Sequence, residues 1–238
     1  MTTASKVVRE TISQLKACAT IERAQQGASY HPTQMRILGT TVPEVKKVVA
    51  QLHRTYKNDP EMIVSLSEAL IHSGCFEARH AGQELLARHP KIIADLTGAF
   101  VESLGQGNDN WVSVDVYAAK ITGVAWRTGH IDDKRVARWV RSPDRWWRRT
   151  ALVSTLGWNQ KARGGQGDSQ RTFAVCQPLV ADHDDMVVKG LSWALRELII
   201  WDAKGVQRFL ATHEDVLAKR VLREVGNKLK TGHKNPKK

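Results

Sequence analysis

Cysteine is scarce: Cys18, Cys75 and Cys176 stand far apart in 238 residues, with no CxxC pair, which leaves neither a disulfide framework nor a zinc knuckle. That usage suits a reducing compartment. Long apolar runs are missing too, since none approaches the ~20 residues that a bilayer span requires, and the N-terminus carries no charged-then-apolar signal pattern. The expected location is the cytoplasm, with no membrane partner. Histidines such as His72, His80 and His89 do not fall at the i,i+3 or i,i+4 spacing of a metal-binding helix face, so no metal or cofactor is expected. The glycine-rich stretch KARGGQGDSQ (161–170) lacks the GK[ST] of a phosphate-binding loop and reads as a flexible connection. Acid is the other shortage. With 24 acidic against 36 basic residues the net charge is +12 and the pI about 9.8, which favours a polyanionic partner, nucleic acid ahead of anionic membrane.

Helix punctuation is plentiful. A hydrophobic content of 42% can build a core. Thr41-Val42-Pro43-Glu44 joins an N-cap threonine, a first-turn proline and an acid three residues on, ahead of the helically spaced VKKVVAQLHRTY. Asp59-Pro60, His89-Pro90 and Ser142-Pro143 read as further starts, and Gly27, Gly74, Gly129 and Gly157 as stops. The spacing predicts helices over about 4–25, 42–57, 60–73, 76–88, 90–105, 109–126, 132–141, 143–157, 168–181, 184–201, 203–212 and 214–230. Short amphipathic helices in succession, each too small to bury its own face, point to an all-α helical-repeat solenoid of antiparallel pairs. One such domain is expected over 1–230, followed by a basic disordered tail, 231–238.

One stretch admits two readings. In NDNWVSVDVYAAK (108–120), valines alternate with Ser113 and Asp115 as in a strand, whereas a helix puts Trp111 and Asp115 one turn apart on one face. An isolated six-residue strand has no partner in a helical chain, so helix is the expectation.

The charge is concentrated. Between 134 and 149, Lys134, Arg135, Arg138, Arg141, Arg145, Arg148 and Arg149 face a single acid, Asp144, with Trp139, Trp146 and Trp147 interleaved. Solvated helix faces usually mix signs, and this strip of guanidinium groups suits phosphates instead. The C-terminal stretch NKLKTGHKNPKK (227–238) adds Lys228, Lys230, Lys234, Lys237 and Lys238 with no acid among them.

NWVSVDVYA, then WWRRTALVSTL, then VKGLSWALREL, with ILGTTVPEVKKVV, ALIHSGCFEARHAGQELL and KRVLREVGNKL around them, resemble in order and spacing the AlkD-type DNA alkylation repair glycosylases. The resemblance runs from about 35 to 230. It implies a HEAT-like solenoid whose concave basic groove grips duplex DNA as a monomer, placing the chain at the nucleoid. It further implies that Trp111, Asp115 and Trp193 sit against the sugar of a damaged nucleotide. It puts Arg149 on a phosphate, with Arg148 the alternative, and Arg138, Arg141, Arg145 and Lys189 complete the expected DNA-binding set. The implied substrates are N3- and N7-alkylated purines, excised without a deep base pocket.

Residue chemistry agrees with those roles. An alkylpurine cation leaves without protonation, so the barrier lies in the oxocarbenium-like sugar, which a carboxylate stabilises while orienting water. Indole faces attract cationic and polarised C–H groups. A non-catalytic relative that binds branched or distorted DNA and leaves the glycosidic bond intact is the alternative expectation. A protein-binding adaptor is disfavoured by the one-sign strip at 134–149.

Overall fold

A computed structural model describes residues 3–236, and Lys237 and Lys238 of the basic tail lie outside them. Among the described residues the chain is all-α, with no strand and one isolated bridge between Arg36 and Cys75. No helix there is long and apolar enough to cross a membrane. The chain divides into two compact units, one up to Tyr117 and the other from Ala118.

The first unit carries α1 (Thr3–Ala17), α2 (Ile21–Tyr30), α3 (Val42–Tyr56), α4 (Pro60–Ile71), α5 (Phe76–Ala87), α6 (Pro90–Asp95), α7 (Gly98–Ser103) and α8 (Trp111–Tyr117). Its core is aliphatic: Leu15, Val49, Ile63, Leu66, Leu70, Leu85 and Leu86 are fully buried, with α4 on α5, α3 on α5 and α1 on α4. The second unit opens with a π-helical turn, Ala118–Thr122, and continues through α9 (Gly123–Arg127), α10 (Asp133–Val140), α11 (Arg145–Ser154), α12 (Leu156–Asn159), α13 (Ser169–Cys176), α14 (Asp185–Thr212) and α15 (Lys219–Thr231). Here α11 packs on α14 and α14 on α15.

Several of the scarce acids serve helix starts. Asp59, Asp132, Asp144, Asp168 and Asp184 each accept a first-turn backbone N–H, which satisfies orphan donors and complements the helix dipole. Glu44 does so for α3 by accepting from both the N–H and the hydroxyl of Thr41, at 2.8 and 2.6 Å. The start expected at Ser142-Pro143 moves to Asp144, whose own N–H is held by the Ser142 hydroxyl. The long segment 4–25 breaks where Thr20 caps α2, and 90–105 breaks where Thr97 caps α7. α14 runs on past the boundary expected at 201–203, but Asp202 is non-helical (φ −145°, ψ 66°) and kinks it, its carboxylate capping the second half at Gly205 N, 2.7 Å.

The 161–170 connection is fastened to its surroundings: Gly167 N donates to the Trp158 carbonyl at 2.9 Å, and the Lys161 ammonium lies 5.0 Å from the Trp201 ring centre. At the other end of the unit, Lys234 pairs with buried Glu224 at 3.3 Å.

Three histidines couple this packing to pH. Burial lowers the pKa of His31, His72 and His89, and for His89 the neighbouring His53 and Arg88 lower it further. A folded-state value below the ordinary imidazole value of about 6.5 means that the unfolded chain binds these protons first. Their contribution is present above that pH and is lost as the pH falls through the depressed values. The thermal midpoint is therefore expected to be lower at pH 5.5 than at pH 7.5, a window above carboxylate titration. A midpoint that is flat or rises on acidification would remove these histidines from the stability account.

Candidate active site and nucleic-acid interface

The period-2 stretch is helical. Asn110 starts α8 by accepting from Ser113 N at 2.9 Å through its side chain and from Val114 N at 3.1 Å through its carbonyl. Val114 and Tyr117 point inward, while Trp111 and Asp115 remain half-buried one turn apart. Tertiary burial of the valines thus overrides their strand preference.

Polar residues that drew no notice in the sequence fix this turn from behind. Buried Arg79 donates to Asn108 Oδ1 at 2.8 Å and to the Gln106 carbonyl at 2.9 Å, holding the loop before α8. Burial lowers the Arg79 pKa, while the negative charge of Asp109 supports its cationic form. Asp109 accepts from the Thr33 hydroxyl and from Gln34 N. Gln83 Nε2 reaches the Ser113 carbonyl at 3.1 Å, and Tyr117 Oη reaches that of Val101 at 2.8 Å. No local pattern marks these residues, because each partner comes from a distant part of the chain.

The Trp111 indole has aromatic company. Tyr30 meets it edge-on at 5.9 Å, His31 lies 5.2 Å away, and His31 in turn stacks on Phe76 at 5.4 Å. Beside them a cavity of about 200 Å³ is walled by Val42, Val45, Phe76, Trp111 and Val112. With its pKa lowered by burial, His31 presents a neutral ring to the indole near neutral pH.

The second unit holds the remaining expected residues. On α10, Val136, Trp139 and Val140 bury one face, and Lys134, Arg138 and Arg141 are exposed around it. On α11, Arg145 is exposed and leans on the Trp146 ring at 4.9 Å. Arg148 is engaged by Asp182 at 2.7 Å and by the carbonyls of Ser142 and Pro143 at 2.9 and 2.8 Å. Arg149 is only 5% exposed and donates to the Met186 carbonyl. The two neighbouring arginines therefore point to different surroundings, as the ~100° helical step requires. Lys189 pairs with Asp185 at 2.6 Å.

Trp193, on α14, is half-buried against a cluster formed by Ala118, Ala119, Val153 and Leu156. Its indole N–H donates to Glu197 at 3.0 Å, so the Glu197 carboxylate holds the ring. Thr122 and Ser154 share a hydroxyl bond of 2.6 Å beside this cluster. Among the described residues no group of three or more His, Cys, Asp or Glu is arranged to hold a metal.

An all-α scaffold that carries a strongly basic strip over 134–149 defines the class. The chain belongs to the DNA alkylation repair enzyme family, whose model matches residues 11–229. Among solved structures it is similar to a predicted DNA alkylation repair enzyme from Enterococcus faecalis, with a TM-score of 0.70 and 20% identity over 90% of this chain and 97% of that one. At that identity the likeness establishes a common fold. No curated protein matches the sequence.

Proposed function

We propose that this chain is a monofunctional DNA glycosylase. It hydrolyses the N-glycosidic bond of cationic N3- or N7-alkylated purines in duplex DNA and leaves an abasic site. The observation that carries this reading is the turn of α8, which presents an indole and a carboxylate side by side, both half-buried. On this reading Asp115 is the catalytic carboxylate. It stabilises the oxocarbenium-like sugar as the C1′–N bond breaks, and it orients and deprotonates the attacking water. The alkylated base departs neutral, so no general acid is needed. Trp111 and Trp193 flank the sugar with their π faces, each interaction worth about 0.5–2 kcal/mol, and a neutral His31 adds no positive charge to oppose the lesion.

The same reading extends to the scaffold. The helices form a HEAT-like solenoid with a concave basic groove, a monomer along the duplex, in which Arg149 contacts a phosphate and Arg138, Arg141, Arg145, Arg148 and Lys189 supply further cationic contacts. The half-buried setting of Trp111 supports a mechanism at the groove surface, without insertion of the base into a deep pocket. Family membership supports alkylated DNA as the substrate.

The direct test is release of free N7-methylguanine and N3-methyladenine from methylated duplex DNA. Release above the spontaneous rate is expected. Absence of release from these and from a bulky N3-alkylpurine, with salt-sensitive DNA binding intact, would leave the non-cleaving DNA-binding reading in its place.

A further inference from the structure

The turn that leads into α14 reads Asp182-His183-Asp184-Asp185, and each of its three acids holds a cation that the DNA reading assigns to phosphate. Arg148 Nε lies 2.7 Å from Asp182 Oδ2, Arg145 Nη1 lies 3.3 Å from Asp184 Oδ2, and Lys189 Nζ lies 2.6 Å from Asp185 Oδ2. Asp185 also faces Arg220 at 3.6 Å. In two of the acids the oxygens divide the work. Asp184 caps α14 with Oδ1, which accepts from Met186 N at 2.9 Å. Asp182 Oδ1 accepts from Asp184 N at 3.0 Å. In both, the backbone needs only one oxygen, and the other is turned to an arginine. The Arg145 and Lys189 pairs lie open to solvent and add little to stability, whereas Arg148–Asp182 is largely buried.

We propose that this acidic turn is an internal phosphate mimic that weakens the grip on undamaged DNA, so that Asp182 and Asp184 set the discrimination between bulk duplex and lesion. The proposal rests on the reading that the paired cations meet DNA phosphates. A phosphate approaching Arg145 must displace a carboxylate that already makes a charge-assisted contact. The displaced carboxylate then remains close to the phosphate and repels it. Fewer counterions are released than the number of cations implies, which lowers both affinity and salt dependence. For a protein that meets rare lesions among a vast excess of normal duplex, the useful quantity is the specificity ratio, and a weaker sequence-independent term raises it.

The test uses Asp182→Asn and Asp184→Asn, singly and together, because asparagine keeps the backbone-accepting oxygen and removes the charge. Binding to an undamaged duplex is measured across a salt series. The double variant is expected to bind about tenfold more tightly at physiological salt, with a log–log salt slope steeper by about 1 to 2, since each freed cation adds roughly 0.9. Arg145→Gln is then expected to cost more affinity in the Asp184→Asn background than in the wild type. Unchanged affinity and slope, or a melting midpoint lowered by the substitutions, would assign these pairs to the fold and overturn the proposal. A wild-type protein that binds no DNA in a salt-dependent way would overturn the underlying reading instead, and the two failures are distinguishable.

Discussion

Asp115→Asn is expected to slow base release from methylated duplex by about 10²-fold or more, the range for removing one preorganised electrostatic group from a developing charge. Asparagine preserves size and one oxygen acceptor, so the helix turn on α8 that carries it is retained. What it removes is the negative charge that stabilises a cationic sugar and the basicity that takes a proton from water. The ground state is a cationic nucleotide as well, so part of the lost interaction is already present on binding. For that reason single-turnover release, measured beside DNA affinity, is the informative pair. Release should collapse while affinity for undamaged duplex stays level. Trp111→Ala provides the scale: a lost π-face contact of about 0.5–2 kcal/mol corresponds to a few-fold to roughly 30-fold, well short of the carboxylate. A loss below ~10-fold for Asp115→Asn, with binding unchanged, would strip Asp115 of the catalytic role.

Local chemistry made much of the helical order legible. Caps and prolines act within one turn, so the starts at Val42, Pro60 and Pro90 stand where Thr41, Asp59 and His89 mark them. Gly74 and Gly129 end helices with φ of +72° and +84°, a conformation that favours glycine. Gly27 and Gly157 carried the same mark but lie inside α2 and α12. Gly27 faces Ile37 across a tight contact, and Gly157 serves a helix crossing, a reason no local pattern contains. The candidate site divides in the same way. Residue types and their density, the indole and acid of α8 and the one-sign strip of α10 and α11, are properties of short stretches. The acid that answers each cation is not: Asp182 and Asp184 precede α14, far along the chain from Arg148 and Arg145. Nor do Arg79, Gln83 and Asp109 advertise their hold on α8, because they act through partners brought in by tertiary packing.

Gly157→Ala is expected to destabilise the second unit severely, by about 3 kcal/mol, the upper part of the usual range for overpacking. At Gly157 a Cβ would press into the carbonyl of Gly123 and lie 2.6 Å from its Cα, and at Gly123 a Cβ would lie 2.7 Å from the Ser154 carbonyl. The obstruction is backbone on both sides, so no side chain can swing away, and the helices have to separate. Separation would also stretch the Thr122–Ser154 hydroxyl bond and loosen the cluster of Ala118, Ala119, Val153 and Leu156 that supports Trp193. For a chain of this length the midpoint should fall by roughly 6–12 °C. Gly226→Ala, inside α15, is the counterpart, since a Cβ there meets nothing within 4 Å. Relief of the helical glycine penalty, about 0.5–1 kcal/mol, should raise the midpoint by a few degrees. Opposite shifts from the same chemical change would trace the difference to the contact at Gly123. A Gly157→Ala protein that melts with the wild type would mean that α9 and α12 do not approach backbone to backbone in solution.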